Sequence, residues 1–225
     1  LKNRHAEIAR RGFSLGLAAA ALLAPLQIFA GDLHGLQVRQ YQPMKVAAME
    51  GHWHESEPGE GVPLVVFAIP DQKEERNDYA IEIPRIASLI LTHSLDGTIA
   101  PLTSVPREDR PPVAPVFYAF RVMVGIGSAM LALVLLSAFA WRRGWLFDPQ
   151  RGSGRWLLLG WKTMTLSGFV AILAGWYVTE IGRQPYTVYG LLRTADSNSA
   201  ISGAAVAFSL AVFALWAFGG LTALV

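Results

Sequence analysis

The sequence predicts an all-α integral membrane protein: four transmembrane helices, with a long, partly structured outer loop between the first and the second. Three observations carry this. Hydrophobic residues make up 52% of the 225 and charged residues only 16%, so the charge is too sparse for an ordinary soluble surface. The charges are also bunched, which leaves 13–30, 116–140, 163–179 and 201–225 nearly charge-free over about the 20 residues a helix needs to cross a bilayer. Finally, the cations gather in two segments. Lys2, Arg4, Arg10 and Arg11 precede the first stretch, and Arg142, Arg143, Arg151, Arg155 and Lys162 surround the link between the second and third. By the positive-inside rule both segments are cytoplasmic, which puts 31–115 and the turn after Glu180 outside.

Residues 1–30 read as a first transmembrane helix with a basic lead-in. Pro25 and Gln27 suit a span packed against neighbours, and Ile28 fits poorly before a leader-peptidase site. A chain that starts with Leu1 rather than Met is expected of a piece of a longer protein. The outer region, 31–115, carries seven Lys/Arg against thirteen Asp/Glu, a net of −6, so no nucleic-acid partner is expected. Loops of that length are usually functional or disordered. "QPMKVAAMEGHW" predicts one or two helical turns entered through Pro43 and stopped at Gly51. "VPLVVFAIP" is a strand candidate, while "IPRIASLILTH" suits a helix or a second strand. Residues 116–225 form a three-helix region whose second member begins near Trp156. There is no cysteine, so disulfides and thiolate metal sites are absent.

A few polar side chains near the outer leaflet stand out. Trp176, Glu180 and Arg183 are spaced by four and three, which aligns them on one helical face if the helix continues through Gly182. An ionisable pair at the end of a span marks a functional site, or simply an interfacial ion pair that closes the helix before Pro185. Met123 suits either packing or thioether ligation of iron. Arg121, two residues earlier, points roughly 200° away from it. Lys45 and Glu50, five apart and so roughly 140° apart on a helix, suit donation to a carbonyl and acceptance of a hydroxyl proton, or two solvated charges. The five histidines (5, 34, 52, 54 and 93) all lie outside the apolar stretches.

Taken together, these stretches resemble subunit I of cytochrome bd-type quinol oxidases. "GWYVTEIGRQPYTVYGLLRTAD" is similar to that family's Gly-Arg-Gln-Pro signature, and "FRVMVG" to its haem-ligand helix. "APLQIFAGDLHG" with "KVAAMEGHW" resembles the entry to its quinol-binding Q-loop. The resemblance covers the whole chain but only the C-terminal half of a family member, its last four spans. It implies that 31–115 is the periplasmic Q-loop, with Lys45 and Glu50 contacting quinol and Asp32 joining their polar network. It further implies that Met123 is an axial ligand of low-spin haem b, that Arg121 and Arg183 face haem propionates, that Glu180 ligates high-spin haem iron and that Trp176 relays electrons. The implied cofactors are low-spin haem b, high-spin haem b, and haem d or a third haem b. The family's histidine ligands lie on earlier helices. The implied partners are ubiquinol or menaquinol, dioxygen, a second large subunit, a small single-span subunit and the lipid bilayer of a bacterial inner membrane. The competing expectation is a non-enzymatic membrane protein, a transporter or assembly component, with a polar path lined by Glu180 and Arg183.

Overall fold

The computed structural model describes residues 2–57, 59–148, 152–197 and 201–222. Helix α1 spans Lys2–Tyr41. At 1.5 Å per residue it is about 60 Å long, twice a bilayer's hydrocarbon thickness. It therefore does not stop at Ala30, where the apolar run ends. Beyond that point tertiary contacts hold the helix: Arg39 donates to the Leu91 carbonyl at 2.9 Å, Asp32 meets His93 at 3.3 Å, and Val38 packs against the cluster that contains Val46, Val62 and Leu91.

Helix α2, Pro43–Glu50, forms where "QPMKVAAME" predicts it, with Pro43 at its first turn. Gly51 closes it at φ 63°, a left-handed conformation that costs a side-chain-bearing residue about 1–2 kcal/mol. A Cβ there would also sit 3.1 Å from Asn77 Oδ1 and 3.3 Å from the Phe117 ring. Strands β1 (Leu64–Asp71) and β2 (Arg76–Ile83) form an antiparallel hairpin with two register irregularities. Residues 86–92 adopt the helical alternative as α3, Ile86–Thr92, which starts two residues after Pro84. With α2, α3 and the hairpin, the outer region folds into a head whose core contains Val46, Ala47, Ala48, Trp53, Val62, Leu91 and Leu102.

Helix α4, Val113–Arg142, descends from this head and packs on α1, α2 and the next long helix pair. That pair is α5 (Gly152–Thr163) and α6 (Ser167–Ile181), bent by 46° at their break. The hydroxyls there bond backwards to main-chain carbonyls: Thr163 to Gly160 at 2.9 Å, Thr165 to Trp161 at 3.2 Å and Ser167 to Met164 at 2.8 Å. Such bonds offer the backbone an alternative to the helical ladder. After α6, β3 (Tyr186–Val188) pairs with β4 (Leu192–Arg193). Asp109 accepts from Tyr186 Oη at 2.8 Å and from Arg193 at 2.5 Å, tying this hairpin to the head. Helix α7 covers Gly203–Thr222.

Among the described residues, two helices are long and apolar enough to cross a membrane, within His5–Tyr41 and Arg107–Arg142, and the bent α5–α6 pair makes a third if it is one span. The fourth expected stretch, 201–225, contains α7 and runs past the described residues.

Candidate functional site

The head and α4 meet at Arg121. Its Nε and Nη2 donate to the Val65 carbonyl at 2.8 and 2.6 Å, its Nη1 to the Met49 carbonyl, and its Nη2 also to Glu50 Oε2 at 3.1 Å. The guanidinium lies 4.3 Å from the Phe117 ring centre. Every nitrogen of Arg121 thus has an acceptor in the head, which holds the end of α2 and the start of β1 against the outer end of α4. Glu50 is buried at 4% exposure. Loss of water raises its pKa above the ordinary carboxylate value, and the Arg121 charge opposes that rise without cancelling it.

Lys45 lies on the same helix and is also buried. Its stem crosses the end of α6, where a Cβ on Gly182 would come within 2.9 Å of Lys45 Cγ. Only a glycine lets α2 and α6 approach this closely. Burial lowers the Lys45 pKa, the Arg183 charge lowers it further, and the Glu180 charge pulls it back up. Lys45 is therefore within electrostatic reach of the Glu180–Arg183 ion pair. Arg183 Nε is buried without an acceptor. Asp32 is elsewhere, paired with His93.

On α6 the side facing α4 carries Ala174 and Val178, both buried. Trp176 is 62% exposed, and Glu180 and Arg183 are partly exposed. Met123 is partly buried between the helices, and a Cβ on Gly175 would lie 2.9 Å from its sulfur. Among the described residues no three His, Cys, Asp or Glu side chains converge to cage an ion. Haem asks for less, since the porphyrin supplies four nitrogens and the protein one or two axial atoms. A thioether on α4, a carboxylate on an adjacent helix and a spare arginine donor fit that requirement.

One participant had no sequence signal beyond its type. His52 lies buried just past Gly51, and its Nε2 has no partner. It lines a cavity of about 290 Å³ together with Glu50, His54, Glu75, Arg76 and Glu82. A loop histidine is indistinguishable by sequence from a solvated one; here its backbone is held by Leu102, whose N–H bonds the His52 carbonyl at 2.9 Å.

The whole chain, residues 1–225, matches the family model for cytochrome bd terminal oxidase subunit I. It is 30% identical to the cytochrome bd-II ubiquinol oxidase subunit 1 of Escherichia coli (strain K12), over 93% of this chain and 52% of that protein. It is also 30% identical to the cytochrome bd ubiquinol oxidase subunit 1 of Bacillus subtilis (strain 168), over 95% of this chain and 46% of that protein. The solved bd oxidase structure from Geobacillus thermodenitrificans superposes with a TM-score of 0.69 at 30% identity, covering 93% of this chain and 46% of that one. The chain thus spans about half the length of the relatives it matches. Agreement in sequence over its full length and in fold over nearly all of it places this chain in the cytochrome bd terminal oxidase subunit I family.

Proposed function

We propose that this chain supplies the quinol-oxidising head and part of the haem-binding region of a respiratory quinol:oxygen oxidoreductase in a bacterial inner membrane, with the head in the periplasm and four spans beneath it. The observation that carries the reading is the Arg121 junction. It joins a buried acid on α2 to the helix that bears Met123, only two residues away. Quinol oxidation releases protons and electrons together, so proton acceptor and electron path must be close; here they share one arginine.

In this reading Lys45 donates a hydrogen bond to a quinol oxygen, and Glu50 accepts a hydroxyl proton. Burial suits both: a lysine held below its ordinary pKa and a carboxylate held above its own are poised to exchange protons. Ubiquinol or menaquinol is the donor. Met123 would hold the iron of low-spin haem b and Glu180 that of the high-spin pair, with Trp176, one turn before Glu180, as the electron relay between haems. Arg183, with its unsatisfied Nε, holds propionate oxygens. Arg121 contributes a positive charge near the same haem while its hydrogen bonds position Glu50. Low-spin haem b, high-spin haem b, and haem d or a third haem b supply one-electron acceptance and the reduction of dioxygen to water. A second large subunit and a small single-span subunit complete the complex.

The test is Met123→Leu in the full-length parent. Leucine preserves volume but removes the sulfur, so the low-spin haem b absorbance should shift or vanish and quinol oxidation should fall at least about tenfold. An unchanged spectrum with unchanged turnover would remove the ligand assignment.

A further inference from the structure

We propose that His52 receives the proton that Glu50 takes from quinol, and that the cavity lined by both residues is the outlet through which this proton reaches the exterior. The inference rests on the quinol reading of Glu50 and adds the group that empties it.

Three features of the geometry support it. Glu50, His52 and His54 line one cavity of about 290 Å³, and exposure increases along the series. Glu50 is 4% exposed, His52 9%, and His54 is in the exposed class, as a path from interior to water requires. The backbone of His52 is fixed on both sides, its N–H to the Ala47 carbonyl and its own carbonyl to Leu102 N–H, each at 2.9 Å. The ring therefore has a defined position. Its Nε2 is buried with no hydrogen-bond partner, an uncommon expense for a polar atom unless it has a use. With the ring's bond to the Ile99 backbone assigned to Nδ1, Nε2 keeps its lone pair free.

The charged part of the cavity lining is net acidic. Besides Glu50, His52 and His54 it presents Glu75, Arg76 and Glu82 from the β1–β2 side. Glu75 is paired with Arg107 and Arg110 and Arg76 with Asp78, while from α4 Arg121 reaches Glu50. These charged and imidazole groups can hold water and pass protons along the cavity. Burial and the neighbouring His54 hold the His52 pKa at about 4, and burial moves Glu50 upward from 4.5. The usual gap, with histidine the stronger base, is closed or reversed, so His52 does not trap the proton it receives.

The steps balance. As an electron leaves quinol for haem, a quinol O–H breaks and its proton bonds to a Glu50 carboxylate oxygen. The Glu50 O–H then breaks, and the proton forms an N–H bond at His52 Nε2. Loss of that proton to cavity water restores neutral His52 and the Glu50–Arg121 ion pair, ready for the second proton.

The experiment uses the full-length haem-loaded complex with His52→Ala and His52→Gln. Both variants should retain the wild-type haem spectrum and a quinol KM within about twofold, while kcat falls roughly tenfold to a hundredfold. That is near or below the low end for loss of a proton-transfer group, because cavity water substitutes in part. Added imidazole should restore much of the His52→Ala rate by filling the vacated space, and should leave His52→Gln unrestored. Wild-type kcat in both variants, or a His52→Ala loss that imidazole does not reverse, overturns the relay. If the wild-type complex itself fails to oxidise quinol, or Glu50→Gln has no effect, the fault lies in the quinol reading and the relay falls with it.

Discussion

The outer head and the membrane helices solve burial in opposite ways. All residues from Met44 to Glu50 on α2 are buried within the chain, including a lysine and a glutamate. On α6, Trp176, Tyr177 and Leu173 are exposed, and the residues of α7 from Gly203 to Trp216 are exposed throughout. The head makes its own core, whereas the spans present apolar faces that lipid, porphyrin or neighbouring helices must cover. The two charges on α2 have therefore given up most of their water, Glu50 for an ion pair with Arg121. Those on α6 keep part of their surface free for something the chain does not itself contain.

The largest test of that contrast is Arg121. Arg121→Met leaves Glu50 buried without a cation and strips the Met49 and Val65 carbonyls of their donor; breaking a buried pair in this way costs about 3–5 kcal/mol. Thermal unfolding and limited proteolysis of the outer region in the full-length complex should both register the loss. Adding Glu50→Gln should recover part of it, because the stranded charge is gone. Full additivity would mean the pair is not the junction's main tie. The comparison is sharpened by Glu180→Gln. Its pair with Arg183 is 44% and 33% exposed, so stability should change by no more than about 1 kcal/mol while the haem spectrum changes.

Acidification comes next in size. A histidine whose folded pKa is depressed contributes stability that is present above its unfolded value and lost as pH falls through the folded one. For His52 the window runs from 6.5 down to about 4, worth about 3 kcal/mol at 1.36 kcal/mol per unit. Glu50 works with the opposite sign. Its pKa is raised, so its contribution is full below 4.5 and fades as pH rises through the folded value. Thermal melts of the complex should therefore drop between pH 6.5 and 4, with Glu50 opposing part of the drop, and His52→Gln should flatten it. A wild-type slope retained in that variant would place the titrating group elsewhere.

What the sequence revealed and what it hid follow the same division. Helix α2 was legible because Pro43 and Gly51 are local start and stop signals, and β1 because its apolar run is bounded by prolines. Strand β2 was not, since "RNDYAIEI" mixes charge with apolar residues and is mostly exposed, with no clean alternation to read. The end of α1 was misplaced because hydropathy reports where lipid stops, whereas Arg39 and Asp32 hold the helix by contacts more than fifty residues away. The break before α6 was hidden in "KTMTLS", whose hydroxyls act on the backbone without interrupting the apolar pattern. At the site, the spacing of Glu180 and Arg183 predicted their pairing, which the structure contains. The Glu50–Arg121 contact spans 71 residues and has no signal in spacing at all.

The smallest effect concerns how the hairpin is fastened to α2. Asn77 on β2 donates from Nδ2 to the Gly51 carbonyl at 2.8 Å and accepts from Trp53 Nε1 at 2.9 Å. Asn77→Ala removes both bonds and strands one donor and one acceptor, which in a sealed core would cost about 1–3 kcal/mol. Here Gly51, Trp53 and Asn77 all line the cavity, so water can take the vacated place and the cost should stay near 1 kcal/mol. The same water would lie in the proposed proton outlet. Asn77→Ala should therefore lower the melting temperature slightly while leaving kcat at or above the wild-type rate. A loss near 3 kcal/mol would mean that the cavity is closed to water, and an outlet closed to water could not carry a proton from His52 to the exterior.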